Sequence, residues 1–260
     1  MDPFPPMRLP SRPGATIKRI YLCRHGETAA NYKRLLQGKG IDLPLNDRGT
    51  VQARSLAERL RNEKVDFIGT SHLKRAKQTA QIIHQHHPRA AWLENEDLAE
   101  ISWGSWDGTD TSEIETLIQK WDRGDFEAAA PQGESPFAVE IRSVSLLYDL
   151  IYSRSENNLV FVLHGRLLRI ILSSLLNRNL SKMDSFRHHN CNINILDIEI
   201  LDTPSSSSPL SLSPSSKNLA IQVLGKDERR TAGTALRHPS NIRVTACILD
   251  DCSHLTDFLL

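Results

Sequence analysis

Two apolar runs, each ended by a histidine and a glycine, constrain this chain more than any other feature. They are Ile20-Tyr21-Leu22-Cys23 before Arg24-His25-Gly26, and Leu159-Val160-Phe161-Val162-Leu163 before His164-Gly165. Short continuous apolar runs of this kind read as strands buried on both faces, as in a parallel sheet covered by helices. In open α/β sheets, ligands bind beyond the carboxyl ends of the strands. Arg24 and His25 therefore stand where a cation and an imidazole meet an anionic ligand, and Gly26 lets the backbone turn tightly and come close to it. A single histidine in that position fits equally well a ring that only satisfies local hydrogen bonds. Two such strand ends in one sheet would bring His25 and His164 together.

The intervening chain alternates strand and helix patterns. The first strand is expected at about Ile17 to Arg24. Ala53, Leu56, Ala57 and Leu60 then fall at helical spacing behind a cap at Asn46 or Asp47. Phe67 to Ser71 reads as a second strand, and Leu73, Ala76, Ala80 and Ile83 mark a helix with Lys74 and Arg75 in its first turn. A cation there opposes the helix dipole, so the position suits an anion that guanidinium and helix bind together, or else a solvated arginine. Glu100 sits in a loop with Trp103, Gly104, Trp106 and Gly108, ahead of two helices carrying Leu117 and Trp121, then Phe137, Val144 and Ile151. Leu167 to Leu176 reads as a buried helix. Ile193 and Ile195, Ile198 and Ile200, and finally Ile242, Val244, Ala246 and Ile248 alternate as half-buried strands do. The stretch at about 203–218 is nearly all Ser, Pro and Leu, too poor in burial to fold, and is expected to be a flexible insertion. Residues 1–16 are expected to form a disordered tail, 17–260 a single domain, and Lys226, Arg229, Arg230 and Arg237 to lie on a solvated loop.

Charge and cysteine usage narrow the function classes. Among 260 residues, 32 Lys and Arg stand against 31 Asp and Glu, a formal charge of +1, so no global field favours nucleic acid or an anionic membrane. Cys23, Cys191, Cys247 and Cys252 show no CxxC spacing, which argues against a zinc site and a disulfide framework and for a reducing compartment. His84, His86, His87, His188 and His189 have no carboxylate or cysteine pattern of metal type. With no apolar run of spanning length and no signal-peptide core, a soluble cytoplasmic protein without nucleic-acid or membrane partners is expected. No motif addresses oligomeric state.

Four separated motifs carry a family resemblance: Arg24-His25-Gly26-Glu27-Thr28 with Asn31, Ser71-His72-Leu73-Lys74-Arg75 through Ala80, Leu98-Ala99-Glu100 through Gly104, and His164-Gly165. Their order and content, between about Ile17 and Leu201, resemble the histidine phosphatase superfamily of phosphoglycerate mutase-like proteins. The ending Asp250-Asp251-Cys252-Ser253-His254-Leu255 is similar to the close of its broad-specificity and α-ribazole phosphatase branch. The resemblance implies a three-layer α/β/α sandwich with a mostly parallel central sheet. It implies that His25 is a nucleophile that becomes phosphohistidine, that Arg24, Arg75 and His164 stabilise the phosphoryl group, and that Glu100 is the proton donor and base. By the same resemblance Asn31, Gln37, Gly38 and Gly165 join Arg24 and Arg75 in binding substrate, with no metal and no cofactor. Elementary chemistry agrees, since phosphoryl transfer asks the protein for positioning and charge stabilisation, and guanidinium forks match phosphate oxygens.

Three residues depart from the family pattern: Arg166 replaces a common second glycine, Asp107 a common glutamate, and His72 a site often acidic. The bisphosphate-gripping stretch of the mutases has no recognisable counterpart in Thr109 to Glu134. The leading expectation is a metal-independent phosphomonoester hydrolase acting on a small phosphorylated metabolite. A phosphoglycerate mutase, a sugar bisphosphatase and an inactive phosphate-binding member are the alternatives.

Overall fold

In the computed structural model, which describes residues 3–201 and 221–255, the two apolar runs are neighbouring parallel strands with Tyr21 opposite Val160. The strands are β1 (Thr16–Arg24), β2 (Phe67–Thr70), β3 (Ala91–Glu94), β4 (Asn158–Leu163), β5 (Ile193–Ile200) and β6 (Ile242–Asp251). The helices are α1 (Ala29–Tyr32), α2 (Asp47–Leu60), α3 (Lys74–His84), α4 (Glu115–Asp122), α5 (Pro136–Ser153), α6 (Gly165–Asn177) and α7 (Lys226–Ala232). The strands form one sheet in the order β3-β2-β4-β1-β5-β6. Its β3, β2, β4 and β1 pair in parallel, while β5 is antiparallel to both β1 and β6.

Alternation along each strand sorts side chains into two cores. Ile20, Leu22, Leu159, Phe161 and Leu163 face α5 and α6, whereas Tyr21, Cys23, Val160 and Val162 face α2 and α3. Helices on both faces follow from parallel pairing, because each parallel crossover has to return over the sheet. The expected α/β/α sandwich with a mostly parallel sheet is the architecture found. Asn46, not Asp47, caps α2 by accepting a hydrogen bond from the Gly49 backbone at 2.7 Å. The Ser- and Pro-rich stretch at about 203–218 lies outside the described residues.

Several local expectations are corrected. The segment from Pro3, expected as a disordered tail, packs on the sheet: Phe4 is buried, 6.0 Å from the Tyr21 ring and capped by the Arg59 guanidinium at 3.6 Å. Its proline carbonyls also find a donor. Arg19, in a buried ion pair with Asp197 at 2.7 Å, donates to the carbonyls of Pro5 and Pro6. The basic cluster expected on a loop is partly helical, since Gly225 and Glu228 cap α7 at one end and Gly233, at φ +66, ends it. Strand β3 is a half-buried edge without alternating apolar residues, and the sequence does not announce it.

Buried polar residues fasten the helices. Glu140 of α5, fully buried, accepts hydrogen bonds from Ser174 of α6 and from Thr234 and the Ala235 backbone, each at 2.6 Å. Glu140→Ala removes the buried acceptor these donors share, and a loss of about 3 kcal/mol in unfolding free energy is expected by denaturant titration. A change below about 0.5 kcal/mol would contradict this reading.

Candidate active site

The parallel register places Arg24 opposite Leu163, so the residues just beyond each strand, His25 and His164, emerge side by side. Their ring centroids are 5.1 Å apart. A cavity of about 270 Å³ opens over this strand-end cluster, lined by Arg24, His25, Asn31, Gln37, Gly38, Arg75, Glu100 and Gly165 among others. Of the residues expected at the site, His164 alone does not line it; it stands fully buried beside His25.

Local hydrogen bonds set the chemistry of His25. Its Nδ1 lies 2.7 Å from the Gly26 carbonyl, an oxygen that only accepts, so the ring proton is on Nδ1 and Nε2 carries the lone pair. Arg75 Nε donates to that Nε2 at 3.3 Å. Burial, reinforced by Arg75 and Arg24, holds the imidazole well below its ordinary value of 6.5, so it is neutral at neutral pH. His164 is likewise pushed well below its ordinary value by burial and then Arg75. Its Nε2 meets Ser71 Oγ at 2.7 Å, while its Nδ1 is buried without a partner.

The arginines are anchored by backbone carbonyls. Arg75 is 1% exposed and donates to the carbonyls of Ile41 at 3.0 Å and Gly38 at 2.8 Å. Burial pushes its guanidinium down to about 10, which leaves it charged at neutral pH. Arg24 donates from Nη1 to the His188 carbonyl at 2.9 Å, and its Nε is buried with no partner. The guanidinium packs directly over Gly165, where a Cβ would meet that Nε at 3.4 Å, an ordinary van der Waals contact.

Glu100 doubles as the cap that α6 lacks in its own sequence. His164 at the cap position makes no side-chain cap, and Glu100 instead accepts from the backbones of Arg166 at 3.1 Å and Leu167 at 2.9 Å. Its loop is clamped from α5, where Arg142 donates to the carbonyls of Asp97, Ala99 and Glu100 and pairs with Glu134 at 2.9 Å. Glu134 in turn accepts from the Ser102 backbone at 2.9 Å.

Asn31 and Gln37 differ in what they can offer. Asn31 Oδ1 accepts from the Thr28 backbone at 3.2 Å in a capping box, and its amide nitrogen has no hydrogen-bond partner among the described residues. Gln37 spends one amide hydrogen on Thr28 Oγ1 at 2.7 Å, and its Oε1 is buried and unpaired. Gln37 thus supports Thr28. Gly26 also differs from expectation: a Cβ there would sit 2.4 Å from the Gly49 carbonyl, so its close approach is to α2 and not to a ligand.

Sequence reasoning missed Ser71, Glu134, Arg142 and His188 as parts of this site. Ser71 opens the motif that carries Arg75; the others contact backbone or distant residues and carry no local pattern. Sequence spacing also hid one metal-type grouping among the described residues. His189, Asp250 and Cys252 bring ligand atoms within 4.8 Å of one another, with His189 and Asp250 already paired at 3.2 Å.

Comparison with known proteins agrees with this geometry. The Histidine phosphatase superfamily (branch 1) profile matches residues 20–200. The probable phosphoglycerate mutase GpmB of Proteus mirabilis (strain HI4320) is 30% identical over 185 residues, covering 70% of this chain and 85% of the relative. Mycobacterial glucosyl-3-phosphoglycerate phosphatase superposes with a TM-score of 0.62 at 26% identity, over 70% of this chain and 91% of that one. The α-ribazole phosphatase from Shigella flexneri superposes with a TM-score of 0.60 at 26% identity, over 68% of this chain and 89% of that one. The sheet, its strand-end histidines and the extent of the match make this chain a member of branch 1 of the histidine phosphatase superfamily.

Proposed function

We propose that this member is a metal-independent phosphomonoesterase that hydrolyses a small phosphorylated metabolite through phosphorylated His25. The observation that carries the proposal is the hydrogen bond from His25 Nδ1 to the Gly26 carbonyl, which leaves a neutral ring with its Nε2 lone pair beside Arg75. Nε2 attacks phosphorus, the P–O bond to the leaving group breaks, and Glu100 gives the departing alkoxide a proton. Glu100 then takes a proton from water as the water oxygen attacks phosphohistidine, which frees inorganic phosphate and restores the neutral ring. Arg24 and Arg75 carry the charge of the equatorial oxygens throughout. His164 Nδ1, Asn31 Nδ2 and the Gly165 N–H are the further donors we assign to the phosphoryl group. The phosphatases among the similar structures support hydrolysis as the outcome.

A mutase is the second reading, favoured by the similarity to probable phosphoglycerate mutases. Both share the first half-reaction. They part at the acceptor, which is water in one and a second phosphoglycerate in the other. We place the protein in the cytoplasm, a location that four unpaired cysteines suit; no helix among the described residues is long and apolar enough to cross a membrane.

Phosphate release from a panel of phosphomonoesters and bisphosphates, in EDTA, tests the proposal: chelator-resistant release is expected, and loss of all release with EDTA would overturn it. Glu100→Gln is expected to slow alkyl phosphate hydrolysis about 10²- to 10³-fold. With 4-nitrophenyl phosphate, whose leaving group needs no proton, the same variant should give a nitrophenolate burst followed by slow turnover. Wild-type rates on both substrates would remove Glu100 from the mechanism.

A further inference from the structure

His188 lines the cavity with a ring nitrogen that no described residue uses. Its Nε2 is buried and has no hydrogen-bond partner. The tautomer is fixed from a distance. Asn192 Nδ2 donates to Asp250 Oδ1 at 2.8 Å and also lies 3.1 Å from His188 Nδ1. A carboxylate only accepts, so it obliges the Asn192 amide to present its nitrogen, and the second amide hydrogen meets His188 Nδ1 as an acceptor. The ring proton is therefore on Nε2. Burial, then Arg169, Arg24 and Arg166, push His188 down to about 3 and keep it in this neutral form. The result is a preset N–H donor on the cavity wall, surrounded by guanidinium groups.

The same wall holds more positive charge than one phosphoryl group uses. Beyond Arg24 and Arg75, the cavity is lined by Arg166 and Arg169, whose carboxylate partner is a shared one, Asp184. Arg166 is also held over the Trp121 ring at 5.1 Å. Both hydrogen bonds of Arg169 leave from Nη1 to Asp184, at 3.1 and 3.3 Å, so the rest of its fork is open. An ion pair that merely fastens α6 to residues 180–185 needs one arginine per carboxylate and does not explain an idle donor beside it.

We propose that His188 Nε2–H and Arg169, backed by Arg166, form a second anion subsite, and that the preferred substrate is a phosphomonoester whose leaving group carries a further carboxylate or phosphate. The inference rests on the phosphomonoesterase reading for its substrate, but it uses residues outside the phosphoryl-transfer set. It also gives Arg166, the departure from the family's second glycine, a function.

Calorimetric binding to the full-length protein tests it with two ligands that cannot turn over, 4-phosphonobutyrate and butylphosphonate, which differ in a terminal carboxylate. The wild type is expected to bind the carboxylated ligand at least about tenfold more tightly. In His188→Ala and Arg169→Leu this ratio should fall toward unity; because the readout is a ratio, a general loss of phosphonate affinity cancels. Equal affinities in the wild type, or a preference that survives both substitutions, would overturn the subsite. Phosphate release is measured on the same preparations: an intact preference without release from any phosphomonoester would sink the phosphatase reading while upholding the subsite.

Discussion

His25→Ala is expected to lower kcat for phosphomonoester hydrolysis on the order of 10⁴-fold or more, the loss that follows removal of a covalent nucleophile. The ring is 2% exposed, but its hydrogen bonds are to its neighbour's carbonyl and from Arg75, which the Gly38 and Ile41 carbonyls still anchor, so the fold should survive the change. Residual activity traced to the variant itself within about tenfold of wild type would exclude His25 as the nucleophile. A second control sharpens this. Because the fold holds the imidazole neutral well below its ordinary value of 6.5, lowering the pH through 6.5 should not by itself switch the nucleophile off. A group with a depressed pKa gains its proton, and loses its lone pair, only in more acidic solution.

Arg75→Leu is expected to cost about 10³-fold in kcat, more than in KM, since its guanidinium is directed at the attacking nitrogen and at charge that grows in the transition state. The variant also leaves the carbonyls of Gly38 and Ile41 without their donor, so part of the loss arises from a loosened cavity wall. Arg75→Lys separates the two effects: it keeps the charge and gives up the planar fork, and recovery to within about tenfold of wild type would show that charge alone suffices. A drop in KM-linked affinity with kcat unchanged would contradict a transition-state role.

The parts of this molecule that were legible in the sequence are those written in local periodicity. Five residues of β4 and four of β1 announce a doubly buried parallel pair, and that pairing alone sets His25 beside His164. Arg75 was legible as an odd choice, a cation in a first helical turn, and the structure places it at the His25 ring. Glu100 was legible only through its motif; nothing local told that it caps α6 from another element. The clamp of Arg142 and Glu134 was invisible because its targets are carbonyls more than forty residues away in sequence for the arginine and a backbone N–H for the glutamate. The docking of Phe4 was missed for a related reason: a proline-rich segment has few donors and no periodicity, and what holds it is a ring contact and the arginine of a distant ion pair. Gly26 does serve close approach, but its partner is the helix α2, which no pattern in one strand can reveal.

The most direct test of the account is to catch the covalent intermediate. Wild-type protein mixed with 4-nitrophenyl phosphate in EDTA, quenched in alkali within milliseconds and digested, is mapped for phosphate by mass spectrometry, with the attachment nitrogen assigned by NMR. The account predicts an acid-labile, alkali-stable phosphate on the peptide containing His25, carried by Nε2 and increased in Glu100→Gln. Turnover with no covalent phosphate, or phosphate on His164 in place of His25, would contradict it.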